Sequence, residues 1–122
     1  MLISKKLAKA LSTQVGNELG ASNQYVMLSA YFEREALPRL AARFMAQANE
    51  EHLHAMKIVK YINEAGGKLE IGAIPAGQAD FASAEEAVQK ALDWELTVTR
   101  QINTLVGQAI AESDHLAQNF LQ

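Results

Sequence analysis

The sequence contains no cysteine. That excludes a disulfide framework, thiolate zinc sites and cysteine-ligated iron–sulfur clusters, and leaves carboxylate and imidazole as the available metal ligands. It also lacks any apolar run approaching the roughly 20 residues needed to cross a bilayer, so no membrane association is expected. The stretch Met1 to Lys9 carries lysines but not the apolar core of roughly 7 to 15 residues that marks a secretory signal. A cytoplasmic location is the resulting expectation. The small net charge of −3 argues against nucleic-acid binding, and nucleic acid is not expected as a partner. Only two prolines occur, Pro38 and Pro75, and the seven glycines are concentrated around Gly66 to Gly77, so chain breakers leave a few long uninterrupted stretches.

What fills those stretches is helical periodicity. The 122 residues, 49% apolar and 20% charged, suit one domain with a real core, spanning residues 1–122. A first helix is expected from Lys5 to Arg34 with Ser4 as its N-cap, its stripe being Leu7, Leu11, Val15, Glu18, Ser22, Tyr25, Ser29 and Phe32. Pro38 suits the first turn of a second helix, with stripe Ala41, Phe44, Ala48, Glu51, Ala55, Ile58 and Ile62, which Gly66-Gly67 ends. The third begins at Ser83, where Ser-x-x-Glu to Glu86 forms a capping box, and carries Ala84, Val88, Ala91, Glu95, Val98, Ile102, Leu105 and Ala109. A short fourth segment, Leu116 to Gln122, follows Asp114. The short links Glu35 to Leu37 and Ala111 to Asp114 force antiparallel neighbours. The link from Lys68 to Ala82, 15 residues long, reaches about 50 Å extended, more than the roughly 45 Å of a 30-residue helix. Helices two and three are therefore expected to run parallel, joined by one long crossover, in an all-α up-down-down-up four-helix bundle.

Each long stripe is apolar except near its centre, where Glu18, Glu51 and Glu95 appear. The helix midpoints fall near residues 19, 52 and 97, so these carboxylates, with His54 three residues after Glu51, are expected at one level whichever way each helix runs. No Lys or Arg on the stripes pairs with them, and an unpaired ionised carboxylate in a core costs several kcal/mol. A cation is the implied partner. Oxygen-rich ligation with a single imidazole suits iron or manganese better than a closed zinc site. Tyr25 shares the face of Glu18 two turns away and is placed to hydrogen-bond a ligand carboxylate or to pack in the core. Glu112-Ser-Asp-His115 repeats the Glu-x-x-His spacing but falls at a turn and is discounted; His52 points away from His54.

These residues bear a family resemblance. Asn17-Glu18-Leu19 with Ala21-Ser22 and Tyr25, and the run from Gln47 through Glu50-Glu51-His52-Leu53-His54 to Lys57, closely resemble non-haem bacterial ferritin. Tyr61-Ile62-Asn63 with Gly66-Gly67, Ile74-Pro75, the segment Trp94 to Ile102 and Asn119-Phe120-Leu121-Gln122 extend the match in order over nearly the whole chain. The resemblance implies a ferritin-like bundle and a ferroxidase centre in which Glu18, Glu51 and His54 hold one iron, Glu51 bridges to a second, Glu95 ligates the second and Tyr25 sits alongside. It further implies a hollow shell of about 24 subunits that oxidises Fe(II) with oxygen or peroxide and stores it as ferric mineral. Haem is not expected: bacterioferritins resemble the sequence less, and they use methionine near the position of His52.

The departure is at the C-terminus. A fourth helix matching the others from Asp114 would bring its ligand to about position 128, beyond Gln122. The fourth helix is expected to be truncated here, without its ligands to the second iron and without the short fifth helix common in the family, and the native chain is expected to continue. Loss of the second iron site would favour the alternative of a non-catalytic metal-binding or shell-forming homologue.

Overall fold

The structure, a computed structural model, describes residues 2–122 and folds them into four helices. Helix α1 spans Lys5–Arg34, α2 Pro38–Glu64, α3 Ala84–Ala111 and α4 the seven residues His115–Leu121. No strand forms among the described residues, and no helix among them is long and apolar enough to cross a membrane.

Local chemistry sets the boundaries. Ser4 Oγ accepts the Leu7 N–H at 3.0 Å, and Asp114 Oδ1 accepts the Ala117 N–H at 3.0 Å, satisfying donors that α1 and α4 would otherwise leave open. Ser83 Oγ accepts the Glu86 N–H, but Glu86 reaches back to the N–H of Ala82 at 2.8 Å, one residue earlier than the expected box partner. The three long helices stop in the same way, each with one residue at positive φ just past the cap: Ala36, Gly66 and Ser113. The following N–H then bonds back to the third-last helical carbonyl, as Leu37 does to Phe32, Gly67 to Ile62 and Asp114 to Ala109. Only Gly66, at φ 79°, adopts this conformation without a Cβ penalty.

Contacts along the crossover fix the topology. Ile3 N–H bonds Ala65 O, so α2 ends beside the start of α1. From there the crossover climbs α1: Ser12 bonds Lys68 and Glu70, Gly20 faces Ile74, Gln24 clamps Gln78, and Arg34 reaches Ala79 and Asp80. Helix α3 thus starts at the far end and returns parallel to α2, finishing where Glu112 accepts the Ser4 hydroxyl. Helix α4 turns back upward, with Phe120 stacked on Tyr61 at 4.2 Å. The order is up-down-down-up with one long crossover, as expected from the sequence.

Two apolar clusters form the core. One gathers Leu7, Leu11, Val15, Ile58, Ile62 and Leu105 at the end where α2 and α3 finish; the other gathers Tyr25, Leu28, Phe32, Phe44 and Ala91 at the opposite end. Between them, on α1 and α2, lie Glu18 and Glu51. The α3 stripe is less covered than its periodicity implies: Ala91, Leu105 and Ala109 are buried, whereas Val98 and Ile102 are half-buried and Leu96 is 53% exposed.

Candidate metal centre

Helix α1 carries Glu18, only 2% exposed, to the layer between the two clusters, and α2 carries Glu51 there at 6%. One helical turn on, His54 stands at the rim of the cavity with its side chain half exposed. Ligand atoms of Glu18, Glu51 and His54 all lie within 4.8 Å of one another, and His54 Nδ1 is 4.0 Å from Glu51 Oε2. They open on a cavity of about 490 Å³ whose far wall is α3, through Glu95, Val98, Thr99, Ile102 and Asn103. Glu95 thus faces the same space but stands outside the 4.8 Å group.

The electrostatics of the layer are those of a site short of positive charge. Burial first, and the adjacent Glu51 carboxyl second, push Glu18 up to about 8 from the ordinary 4.5. Lys57 lines the cavity rim, yet no Lys or Arg makes an ion pair with Glu18 or Glu51 among the described residues. Glu18 Oε2, Glu51 Oε2 and the Tyr25 hydroxyl are buried without a hydrogen-bond partner. Such groups cost roughly 1–3 kcal/mol each when orphaned, more when charged. A hard cation with oxygen and imidazole preference would satisfy both carboxylates at once.

The Tyr25 hydroxyl does not reach a carboxylate. Its ring is locked by stacking against Phe44 at 6.0 Å, and the hydroxyl is held in its un-ionised form by burial and by the charges of Glu95, Glu51 and Glu18. The Glu112 and His115 pair plays no part: Glu112 bonds Ser4 and Gln108, and His115 is exposed at the end of the bundle where α3 finishes. His52 is exposed as well.

Two contributors were not singled out from the sequence. Gln14 Nε2 donates to Glu18 Oε1 at 3.3 Å, and Gln47 Nε2 donates to Glu51 Oε1 at 3.1 Å. The signal for both is glutamine four residues before each core glutamate, the spacing at which helical side chains meet.

Comparison with known proteins agrees with this architecture. The ferritin family, described as a ferritin-like domain, matches residues 8–122. "Ferritin BfrB" of Mycolicibacterium smegmatis is 38% identical over 120 residues, which cover 98% of this chain and 66% of that protein. "Bacterial non-heme ferritin" of Staphylococcus aureus is 35% identical, over 98% of this chain and 72% of its own length. Among solved structures, the open-pore ferritin of Archaeoglobus fulgidus superposes with a TM-score of 0.95 at 31% identity, covering 98% of this chain and 74% of that one. The Chlorobium tepidum ferritin superposes equally well, at 0.95 and 36% identity. The chain spans about two thirds of the length of the first of these curated relatives, 66% for the M. smegmatis protein.

Proposed function

The chain belongs to the ferritin family, and we propose on that premise that it is an iron storage protein taking Fe(II) as substrate at the layer of Glu18, Glu51 and His54. The observation that carries the reading is the pair of buried carboxylate oxygens, Glu18 Oε2 and Glu51 Oε2, within reach of one imidazole and ion-paired to no Lys or Arg among the described residues. The Glu51 carboxyl adjoins that of Glu18 and its Oε2 is 4.0 Å from His54 Nδ1, so it is the residue assigned to bridge two irons; Glu95, across the cavity on α3, is assigned to the second. In the ferroxidase reaction two Fe(II) each give one electron, and dioxygen takes both with two protons to leave as hydrogen peroxide. The buried pair Glu18 and Glu51 supplies negative charge that favours Fe(III) over Fe(II), while His54 at the rim faces incoming metal.

The relatives extend the proposal to self-association into a shell that stores the oxidised iron as mineral, with this chain as one domain acting in the cytoplasm. Supporting it, α2 presents Met45, Leu53 and Met56 to solvent at 40%, 60% and 40% exposure, an apolar face that association would cover. A second reading is a one-metal, non-catalytic homologue, favoured by Glu95 lying outside the three-residue group.

Crystals soaked in Fe(II) or a redox-inert divalent ion test the site. Anomalous density between Glu18, Glu51 and His54 is expected; density only at Glu112 and His115 would sink the assignment. Metal stoichiometry and oxygen uptake on adding Fe(II) then separate the two readings, the first requiring two irons per chain with uptake and the second one or none without it.

A further inference from the structure

We infer that Gln14 and Gln47 are positioning residues that fix each core carboxylate by its Oε1 and reserve its Oε2 for metal, an inference resting on the metal-binding reading above. Both amides sit one turn before their glutamate on the same helix, and both donate to Oε1: Gln14 to Glu18 at 3.3 Å and Gln47 to Glu51 at 3.1 Å. The oxygens left over are buried with no partner among the other described residues, and the two carboxyls stand close enough to share a proton that a metal would displace. An ionised carboxylate offers only acceptor sites, so it is the amide nitrogen that must face it.

Helical Gln-to-acid pairs at this spacing are ordinary on surfaces, and the chain supplies its own contrast. Gln108 Nε2 bonds Glu112 Oε2 at 3.1 Å in the same i,i+4 relation, but there the second oxygen, Oε1, accepts the Ser4 hydroxyl. At that partly buried pair both carboxylate oxygens are used by protein, and at the exposed Gln89–Asp93 pair, bonded at 3.3 Å with the same spacing, the second oxygen is open to solvent. In the core layer one is used and one is kept open, twice.

Gln14 is itself held in place. It is 2% exposed, its Oε1 accepts from Asn17 Nδ2 at 3.2 Å, and its Nε2 also reaches Gln101 Oε1 on α3 at 3.4 Å. Its two amide hydrogens thus go one to the ligand and one across to the helix that carries Glu95. Gln47 is half-buried and makes the single bond to Glu51. A carboxylate pinned by one oxygen has little rotation left to lose when metal arrives, and its N–H donor favours the ionised form that a metal needs.

The test uses Gln14→Met and Gln47→Met, which keep side-chain length and remove the donor. Co(II) alone serves as the probe, titrated by calorimetry and by its visible ligand-field spectrum, with the melting of each metal-free protein as the check on folding. Each variant is expected to bind Co(II) about 10- to 100-fold more weakly, Gln14→Met the more so, with an altered spectrum. Gln47→Met is expected to melt as the unsubstituted protein does, so it decides the matter if Gln14→Met does not fold. Affinity and spectrum unchanged in Gln47→Met would overturn the inference, as would a weakened affinity with an unchanged spectrum. If Glu51→Ala binds Co(II) as tightly as the unsubstituted protein, the metal-binding reading itself fails, a result distinct from either of these.

Discussion

Glu18→Gln is expected to make the metal-free protein more stable near pH 8 and to leave it unchanged near pH 5. Glu18 is 2% exposed beside Glu51, and its pKa stands at about 8 against 4.5 for an ordinary glutamate. A carboxyl raised in the folded state keeps its full contribution below the unfolded value and loses it as pH climbs through the folded one. The window of loss therefore runs from about pH 4.5 to about pH 8. At about 1.36 kcal/mol per unit the whole shift corresponds to roughly 5 kcal/mol; the cavity opens to solvent, and screening brings the expected loss to about 2 kcal/mol. Glutamine keeps the shape without the charge, so the variant escapes that loss. Urea unfolding in the presence of chelator, for both proteins near pH 5 and near pH 8, measures the difference. Saturating divalent metal should reverse the order, because a ligand at about a hundredfold its Kd stabilises the native state by about 2.7 kcal/mol and the variant forfeits it. Equal pH slopes for the two metal-free proteins would refute the reasoning.

Glu51→Ala should slow Fe(II) oxidation more than Glu95→Ala does, since Glu51 is within reach of both Glu18 and His54 while Glu95 stands across the cavity; stopped-flow absorbance with equal or reversed losses would remove Glu51 from the bridging role. Gly77→Ala should lower the melting temperature by roughly 4–8 °C per kcal/mol lost, because its Cβ would lie 2.9 Å from Gln24 Oε1 and 2.7 Å from Met27 Cε. That oxygen accepts the Gln78 N–H in the clamp that seats the crossover on α1, and an unchanged melting curve would show that the clamp yields without cost.

Much of the fold is legible because its punctuation is local. Ser4, Pro38, Gly66 and Ser83 each act on their own turn, so the starts of α1 and α3 and both ends of α2 follow from local chemistry with no knowledge of the partners. Ala36 and Ser113 end helices in the same conformation as Gly66, yet neither residue type announces it. Their positive φ follows from the need of the next N–H to reach back to Phe32 and Ala109, which only the folded turn displays. The course of the crossover is legible as a length, long enough to traverse the bundle, but not as a path. Its seat on α1 depends on Gly20 admitting Ile74 and on Gln24 pairing both ways with Gln78, contacts that no periodicity encodes.

The candidate site divides along the same line, between what counting residues gives and what it cannot give. Height along a helix is arithmetic, 1.5 Å per residue, so acids near the midpoints of equal helices must share a level. Glu18 and Glu51 meet because α1 and α2 are also direct antiparallel neighbours joined by a tight turn at Ala36, which converts equal height into proximity. Glu95 shares the level without joining the group, since lateral separation is set by how closely α3 packs and its stripe is only half covered at Val98 and Ile102. The same physics explains the amides. Nothing about Gln14 or Gln47 stands out until the oxygens of Glu18 and Glu51 are counted one by one, and the count leaves one acceptor on each, facing a cavity whose lining Lys57 makes an ion pair with neither. The layer that interrupts the core thus weakens the metal-free fold at the place where a bound cation would restore it.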